Sequence, residues 1–171
     1  MGKITLILGG ARSGKSTYAA SLAKKYRKVA FIATCRALDK EMAERIKLHR
    51  KARPKGWKTF EETGKIESLL PKIGDGFDCI IIDCLTLLVS NLILSGIKEK
   101  QILQKINAML VNLRKKKAKA IIVSNEVGSG IVPRNKLGRN FRDIAGKVNQ
   151  AVAKEADAVF FTIAGIPTKI K

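Results

Sequence analysis

The sequence predicts a three-layer α/β domain with a mostly parallel central sheet. Short apolar runs rich in β-branched residues recur along the chain, at positions 4–8, 29–33, 79–82, 120–124 and 158–163. Such runs are typical of strands that are buried on both faces of a parallel sheet. Apolar residues at intervals of three and four predict the covering helices, at 16–25, 39–51, 98–116 and 140–155. We expect the whole chain, residues 1–171, to form this one domain.

The first apolar run leads directly into a glycine-rich motif. Residues 9–16 read Gly-Gly-Ala-Arg-Ser-Gly-Lys-Ser and fit G-x-x-x-x-G-K-[ST], the phosphate-binding loop or P-loop, between a strand and a helix. Glycine lets successive backbone N–H groups surround phosphate oxygens, and the helix N-terminus adds partial positive charge. We expect Lys15 to reach the outer phosphates and the Ser16 hydroxyl to bind Mg²⁺. The motif predicts a bound nucleoside triphosphate in contact with Gly9, Gly10, Ala11, Arg12, Ser13, Gly14, Lys15 and Ser16.

The predicted helix 39–51 carries His49, the single histidine of the chain. The ring follows Ile46 by three residues, so periodicity alone would place it in the core or at the core boundary. The basic neighbours Arg50 and Arg53 favour a second interpretation, because they can stabilise a phosphate that approaches an imidazole nucleophile. Both interpretations remain open at this point.

The stretch 52–77 is the least regular part of the sequence. It is rich in proline and glycine, and we expect loops and a short helix there. Pro54 should end the preceding helix and send Arg53 and Trp57 in a new direction, for example back over a bound nucleotide.

The apolar run 79–82 is followed by Asp83. A carboxylate that follows a buried strand can hold Mg²⁺ or accept a hydrogen bond from a ribose hydroxyl. Alone, such an acid is more often a turn residue or a helix cap. The P-loop upstream favours the nucleotide site, so Ser16 and Asp83 are the predicted metal ligands.

Two segments follow the fourth apolar run. Residues 125–133 form a glycine-bearing loop, which is either a lid or substrate contact or a simple connection. The predicted helix 140–155 carries four polar residues that we expect to be solvated, as is usual on an amphipathic helix: Arg142, Asp143, Asn149 and Gln150.

The composition indicates a cytoplasmic protein without specific nucleic-acid binding or membrane insertion. Three cysteines, without a C-x-x-C pair, favour a reducing compartment, and no apolar stretch reaches the length of about eighteen residues that a membrane helix needs. Thirty-four Lys and Arg against fourteen Asp and Glu give a formal net charge of +20, which attracts polyanions. The aromatic content is only 5% and no nucleic-acid motif is present, so we expect no specific nucleic-acid partner.

The motifs together resemble one enzyme family over essentially the whole chain. Its most specific segments are residues 125–133, Asn-Glu-Val-Gly-Ser-Gly-Ile-Val-Pro, and 141–150, Phe-Arg-Asp-Ile-Ala-Gly-Lys-Val-Asn-Gln. With the P-loop, Ile-Ala-Thr at 32–34, and His49 ahead of Arg53-Pro54, they resemble the bifunctional adenosylcobinamide kinase / adenosylcobinamide-phosphate guanylyltransferase family. The resemblance implies a RecA-like P-loop fold and a homotrimer.

The resemblance also implies two reactions in cobalamin synthesis. A nucleoside triphosphate, ATP or GTP, phosphorylates the aminopropanol hydroxyl of adenosylcobinamide. GTP then guanylylates a histidine, and the phosphorylated corrinoid accepts GMP to give adenosylcobinamide-GDP. The matching histidine is His49, with Lys15 as the second catalytic residue, Leu48 where many members have another histidine, and Asp83 where Glu is common. Beyond the P-loop, the implied contacts with GTP are Thr34, Cys35, Arg36, Arg50, Lys51, Ala52, Arg53, Glu61 and Asp83.

Two other functions are compatible with the residues alone. One is a P-loop kinase of a small metabolite, in which His49 is merely structural. The other is a nucleic-acid-stimulated P-loop ATPase that uses the net charge of +20.

Overall fold

The computed structural model describes residues 2–37, 40–51 and 53–171, without the side chains of Met42 and Arg45. Within these residues the strands are β1 (Ile4–Gly9), β2 (Val29–Ala33), β3 (Lys58–Glu61), β4 (Cys79–Asp83), β5 (Lys119–Val123), β6 (Ala158–Ile163) and β7 (Ile166–Lys169). The helices are α1 (Lys15–Ala23), α2 (Lys40–Lys51), α3 (Ile66–Lys72), α4 (Leu85–Leu94), α5 (Glu99–Lys115) and α6 (Lys136–Glu155).

The described strands lie in one sheet with the order β3-β2-β4-β5-β1-β6-β7. All neighbouring strands run parallel except β6 and β7, which form an antiparallel hairpin. The carboxyl ends of β1, β2, β4 and β5 therefore meet at one edge, where ligands of open α/β sheets bind. The predicted mostly parallel α/β fold is confirmed.

Alternate residues of each strand pack on opposite faces of the sheet. On one face, Leu6 and Ile32 belong to an apolar cluster with residues of α3, α4, α5 and α6. On the other face, Ile7 packs in a second cluster with Ala19 and Ala23 of α1. The sheet is thus the middle of three layers, and α1 leaves the P-loop on the less crowded face.

Three described elements were not predicted from the sequence. Helix α4 directly follows β4, and its buried apolar residues continue the same apolar stretch, so it shows no polar face. Strands β3 and β7 have four residues each and lie at the two edges of the sheet, where exposed residues weaken the apolar signal. Pro167 in β7 has no backbone N–H to donate. An edge strand tolerates this loss because one of its two sides has no neighbouring strand.

The other elements agree with the sequence predictions to within a few residues. The short helix expected in 52–77 is α3. None of the described helices combines the length and the apolar character that a membrane span requires.

Candidate active site

The first part of the P-loop, residues 9–14, leads from β1 into α1 and packs closely on the C-terminal hairpin of β6 and β7. Gly14, just before the helix, has φ +92°, a conformation that favours glycine. A Cβ atom at Gly9 would lie 2.4 Å from the carbonyl oxygen of Thr162 in β6. The N–H of Gly165, between β6 and β7, donates to the carbonyl oxygen of Ser13 at 3.0 Å. Glycine is therefore required both for the shape of the loop and for its support by the hairpin.

Lys15 begins α1 and is buried inside the P-loop. Its Nζ donates to the carbonyl oxygen of Gly10 at 2.5 Å and to Ser13 Oγ at 3.4 Å. Burial lowers the pKa of Lys15, and the nearby Asp83 carboxylate opposes this effect. The ammonium group lies where a P-loop holds phosphate, and phosphate oxygens would replace its present acceptors.

Asp83 ends β4 near Lys15, and the Ser16 hydroxyl is close enough to affect the pKa of its carboxyl. Burial raises the pKa of Asp83, while the Ser16 hydroxyl and the nearby His49, Arg53 and Lys15 side chains act to lower it. The structure thus brings together the two residues predicted to bind Mg²⁺. The same carboxylate lies near the cationic side chains of Arg53 and Lys15.

Thr34 positions the segment that carries Asp83. Its side chain is fully buried, and its Oγ1 donates to the carbonyl oxygen of Cys84 at 2.7 Å and accepts from the Cys84 N–H at 2.8 Å. Its N–H donates to the carbonyl oxygen of Asp83 at 3.1 Å, and its carbonyl oxygen accepts from Asn91 Nδ2 at 2.8 Å. All polar groups of Thr34 are engaged within the protein, which gives this predicted nucleotide contact a structural role.

His49 is exposed in the last turn of α2. The ring is near enough to Asp83 for its charge to affect the pKa of that carboxyl. Because the His49 ring is exposed, its interpretation as a residue of the core or of the core boundary is wrong. Next to it, Arg50 Nη2 lies 3.0 Å from Glu61 Oε1, in an ion pair whose side chains are 62% and 59% exposed.

Arg53 and Trp57 pack on Phe31 of β2, beyond the end of α2. The Cζ of Arg53 lies 3.8 Å from the centroid of the Phe31 ring, and the Trp57 ring is stacked on the same ring with centroids 6.2 Å apart. Burial lowers the pKa of Arg53, although Asp83 opposes it. Helix α2 ends at Lys51, ahead of Pro54, and the place of both side chains over a nucleotide stays a prediction.

The remaining predicted nucleotide contacts differ in accessibility. Cys35 is half-buried and follows Thr34 at the end of β2, whereas Ala52 lies outside the described residues. The exposed ones are Gly10, Ala11, Arg12, Arg36, Arg50, Lys51 and Glu61. They lie in the P-loop, in the segment after β2, in the last turn of α2 and at the end of β3.

A buried polar network beside the P-loop was not predicted. Ser124 Oγ, just after β5, donates to Asn149 Oδ1 of α6 at 2.7 Å and lies 3.0 Å from Thr86 Oγ1 of α4. All three side chains are buried, so the expectation that Asn149 is solvated was wrong. One signal was present in the sequence: Asn149 follows Ala145 by four residues and therefore lies on the apolar face of α6.

The site fits Mg²⁺ held together with a nucleotide rather than by the protein alone. No group of three His, Cys, Asp or Glu side chains that could hold a metal occurs among the described residues. Mg²⁺ in nucleotide sites usually takes one or two protein ligands and completes its shell with phosphate oxygens and water. The Ser16 hydroxyl and the Asp83 carboxylate match that requirement.

Comparisons with known proteins agree with this geometry. The family model described as cobinamide kinase / cobinamide phosphate guanyltransferase matches residues 5–170. The bifunctional adenosylcobalamin biosynthesis protein CobU of Salmonella typhimurium is 40% identical over 97% of this chain and 98% of its own length. The protein of the same name in Escherichia coli is 39% identical over the same shares of both chains.

A relative from a third organism and one solved structure extend the comparison. The bifunctional adenosylcobalamin biosynthesis protein CobP of Pseudomonas aeruginosa is 41% identical over 97% of this chain and 96% of its own length. The crystal structure of a KaiC-like protein from Pyrococcus horikoshii superposes with a TM-score of 0.53 at 15% identity, over 93% of this chain and 70% of that one. The latter likeness concerns the fold alone.

Proposed function

We propose, since the chain belongs to the cobinamide kinase / cobinamide phosphate guanyltransferase family, that it is the bifunctional enzyme of cobalamin biosynthesis which this description implies. The observation that carries the proposal for its site is the grouping around Asp83. This carboxylate lies close enough to Ser16 of the P-loop and to the exposed His49 for both side chains to affect its pKa. A phosphate-binding loop, a metal-binding carboxylate and a nucleophile are thereby available to one nucleotide.

The first reaction would be phosphorylation of the aminopropanol hydroxyl of adenosylcobinamide by ATP or GTP. The P-loop N–H groups and Lys15 would bind the β- and γ-phosphates and stabilise the charge that develops on the leaving diphosphate. Mg²⁺, held by Ser16 and Asp83, would supply further charge neutralisation. The hydroxyl oxygen bonds to the γ-phosphorus as the bond from that phosphorus to the leaving diphosphate breaks.

The second reaction would be guanylyl transfer through His49. A ring nitrogen attacks the α-phosphorus of GTP, a phosphoramidate bond forms, and pyrophosphate leaves. A phosphate oxygen of the phosphorylated corrinoid then attacks the same phosphorus, which breaks the nitrogen–phosphorus bond and frees the ring. Arg50 would leave its exposed partner Glu61 and bind phosphate oxygens. Arg53 would move from its contact with Phe31 toward the phosphates.

The test is the covalent intermediate. After incubation with GTP and Mg²⁺, we expect the intact protein to gain the mass of one GMP group, bound by an acid-labile and alkali-stable bond. His49→Ala should abolish this gain. Leu48→Ala is the matched control, because Leu48 is the adjacent and also exposed position of α2 and its replacement should leave labelling unchanged.

The same experiment separates the alternatives. A label that persists in His49→Ala would make His49 the wrong nucleophile. A wild-type protein that phosphorylates adenosylcobinamide but never acquires GMP would instead be a P-loop kinase without guanylyl transfer.

The proposal includes a single-domain, cytoplasmic homotrimer. Self-association is supported by exposed apolar surface near an open groove of about 270 Å³ between α4 and α6. This surface includes Leu94 and Leu137. The preceding loop adds Ile131 and Val132, which are 97% and 56% exposed. Groups of exposed apolar residues commonly mark an interface. A solution mass of three times the 18.7 kDa of the chain would support the trimer.

A further inference from the structure

Glu126 lies between the two halves of the candidate site. Beyond β5 the backbone continues to pair with β1: the Ser124 N–H donates to the carbonyl oxygen of Ile7 and the Glu126 N–H to that of Gly9, each at 3.0 Å. Glu126 is therefore level with the first residue of the P-loop. Because β5 lies between β1 and β4, Glu126 also stands on the side of the P-loop that faces Asp83.

The Glu126 carboxylate is held in place by neutral donors. Its Oε1 accepts from the Gly128 N–H at 2.7 Å, and its Oε2 accepts from Asn149 Nδ2 at 3.4 Å. Asn149 is fixed in turn by Ser124 and by the carbonyl oxygen of Asn125, to which its Nδ2 donates at 3.1 Å. This buried network orients the carboxylate, while the half-buried position of Glu126 leaves part of its side chain exposed.

Other carboxylates at this edge of the sheet have different partners. Asp83 lies near the Ser16 hydroxyl and the cationic side chains of Arg53 and Lys15, and Glu61 is paired with Arg50. Glu62 accepts two backbone N–H groups, from Gly64 and Lys65, after β3 and far along the sheet from β1. Within the described residues Glu126 has no cationic partner, so it combines proximity to the P-loop with a carboxylate that is not neutralised.

The two proposed reactions differ in their need for a base. In the kinase step, the acceptor hydroxyl must lose its proton as its oxygen bonds to phosphorus. In guanylylation, the imidazole attacks through a ring lone pair, so no hydroxyl has to be deprotonated. A carboxylate next to the P-loop is thus useful to the first reaction only.

We propose that Glu126 is the general base of the kinase step, an inference that rests on the proposed function. The hydroxyl oxygen of the acceptor bonds to the γ-phosphorus, and the bridging oxygen leaves with the nucleoside diphosphate. The hydroxyl proton passes to a carboxylate oxygen of Glu126 and from there to water. General bases of this kind contribute rate factors of about 10² to 10⁴.

The test is Glu126→Gln, assayed separately for the two half-reactions. Glutamine keeps an acceptor oxygen for the Gly128 N–H and nearly the same volume, but it cannot take a proton at neutral pH. We expect the kcat of adenosylcobinamide phosphorylation to fall about 10²-fold or more. GMP labelling of His49 should proceed at the wild-type rate.

Glu62→Gln is the matched control, because Glu62 caps the N–H of the second residue after it just as Glu126 does. Both activities should survive in this control. Unchanged phosphorylation by Glu126→Gln would overturn the inference, and so would equal loss of both reactions, which would indicate a structural role. Failure of the proposed function is distinguishable, since it would appear in the wild-type protein as absent phosphorylation or absent GMP labelling.

Discussion

At the scale of single residues, Asp83 is the side chain on which the electrostatics of the site depend. Burial alone would favour its neutral form, whereas Ser16, His49, Arg53 and Lys15 favour its charged form. Burial dominates in the nucleotide-free protein, so the pKa of Asp83 is raised. A divalent cation bound there would shift the balance toward the carboxylate. The charged Asp83 carboxylate therefore destabilises the fold but favours the binding of a divalent cation.

The first consequence is a gain in stability when Asp83 is replaced. A folded-state pKa above the unfolded value means that stability is lost as pH rises through that interval, and that the charged carboxylate destabilises the fold at pH 7. Asp83→Asn should therefore raise the midpoint of thermal unfolding at pH 7 without nucleotide, and the difference should vanish at low pH. The same variant should weaken Mg²⁺-dependent GTP binding about 10- to 100-fold.

Asp157→Asn is the control with the opposite sign. Although burial acts against it, hydrogen bonds from the Ile4 N–H and from Arg114 lower the pKa of Asp157. Its contribution to stability is present above the unfolded pKa and is lost as pH falls through the folded pKa. This variant should therefore have a lower midpoint of thermal unfolding at pH 7 than the wild-type protein. Equal shifts in both variants would contradict the electrostatic explanation.

Single residues were predictable where the chemistry is local in sequence. The P-loop residues form one continuous motif, and the cationic neighbours of His49 and the resemblance made it a candidate, which stays a prediction. Thr86 and Ser124 were missed because they meet Asn149 only through the packing of α4, β5 and α6. Short polar side chains carry no spacing signal for such a contact.

At the scale of elements, the P-loop depends on the hairpin of β6 and β7. The hairpin provides the carbonyl oxygen of Thr162 under Gly9 and the N–H of Gly165 next to Ser13. Within the described residues Thr162 Oγ1 is a buried side-chain oxygen without a hydrogen-bond partner, directly beneath the loop. The C-terminal elements are thus part of the support of the nucleotide site.

This dependence predicts different effects for two adjacent glycines. In Gly9→Ala the new Cβ would approach the Thr162 carbonyl oxygen to 2.4 Å, so loop and hairpin must separate. We expect a loss of about 1–3 kcal/mol in the free energy of unfolding, measured by denaturant titration. In Gly10→Ala the Cβ would meet nothing within 4 Å, so stability should stay within about 0.5 kcal/mol of the wild type. Similar losses in both variants would refute the role of the hairpin.

Elements were predictable in proportion to their burial pattern. The central strands β1, β2, β4 and β5 are buried on both faces over most of their length and gave continuous apolar runs, as did the partly buried β6. The amphipathic helices α5 and α6 gave apolar residues at intervals of three and four. Helix α4 was not separated from β4 because it is apolar on nearly all sides. The edge strands β3 and β7 are four residues long and largely exposed, so their signal does not exceed that of a loop.

At the scale of the whole molecule, the net charge of +20 is not concentrated at the candidate site. The carboxyl edge of the sheet mixes cations with Asp83, Glu61 and Glu126. At the opposite edge, Lys25 and Lys119 line a shallow cleft, where burial lowers the pKa of Lys119 and the nearby Lys3 and Lys25 lower it further. Composition gave the size of the charge, whereas its division between the two edges required the fold.

This distribution predicts weak polyanion binding away from the nucleotide. A DNA duplex of arbitrary sequence should bind at low salt through the amino edge and be released by about 0.2 M salt, as expected for phosphate contacts alone. Lys25→Gln should lower the slope of log affinity against log salt by about one, since one phosphate contact is removed. Fluorescence anisotropy over a salt series gives both values, and GMP labelling measured with and without DNA should be identical because the two edges are separate. Binding that survives high salt and accelerates ATP hydrolysis would instead support a nucleic-acid-stimulated ATPase, in which the positive charge is functional.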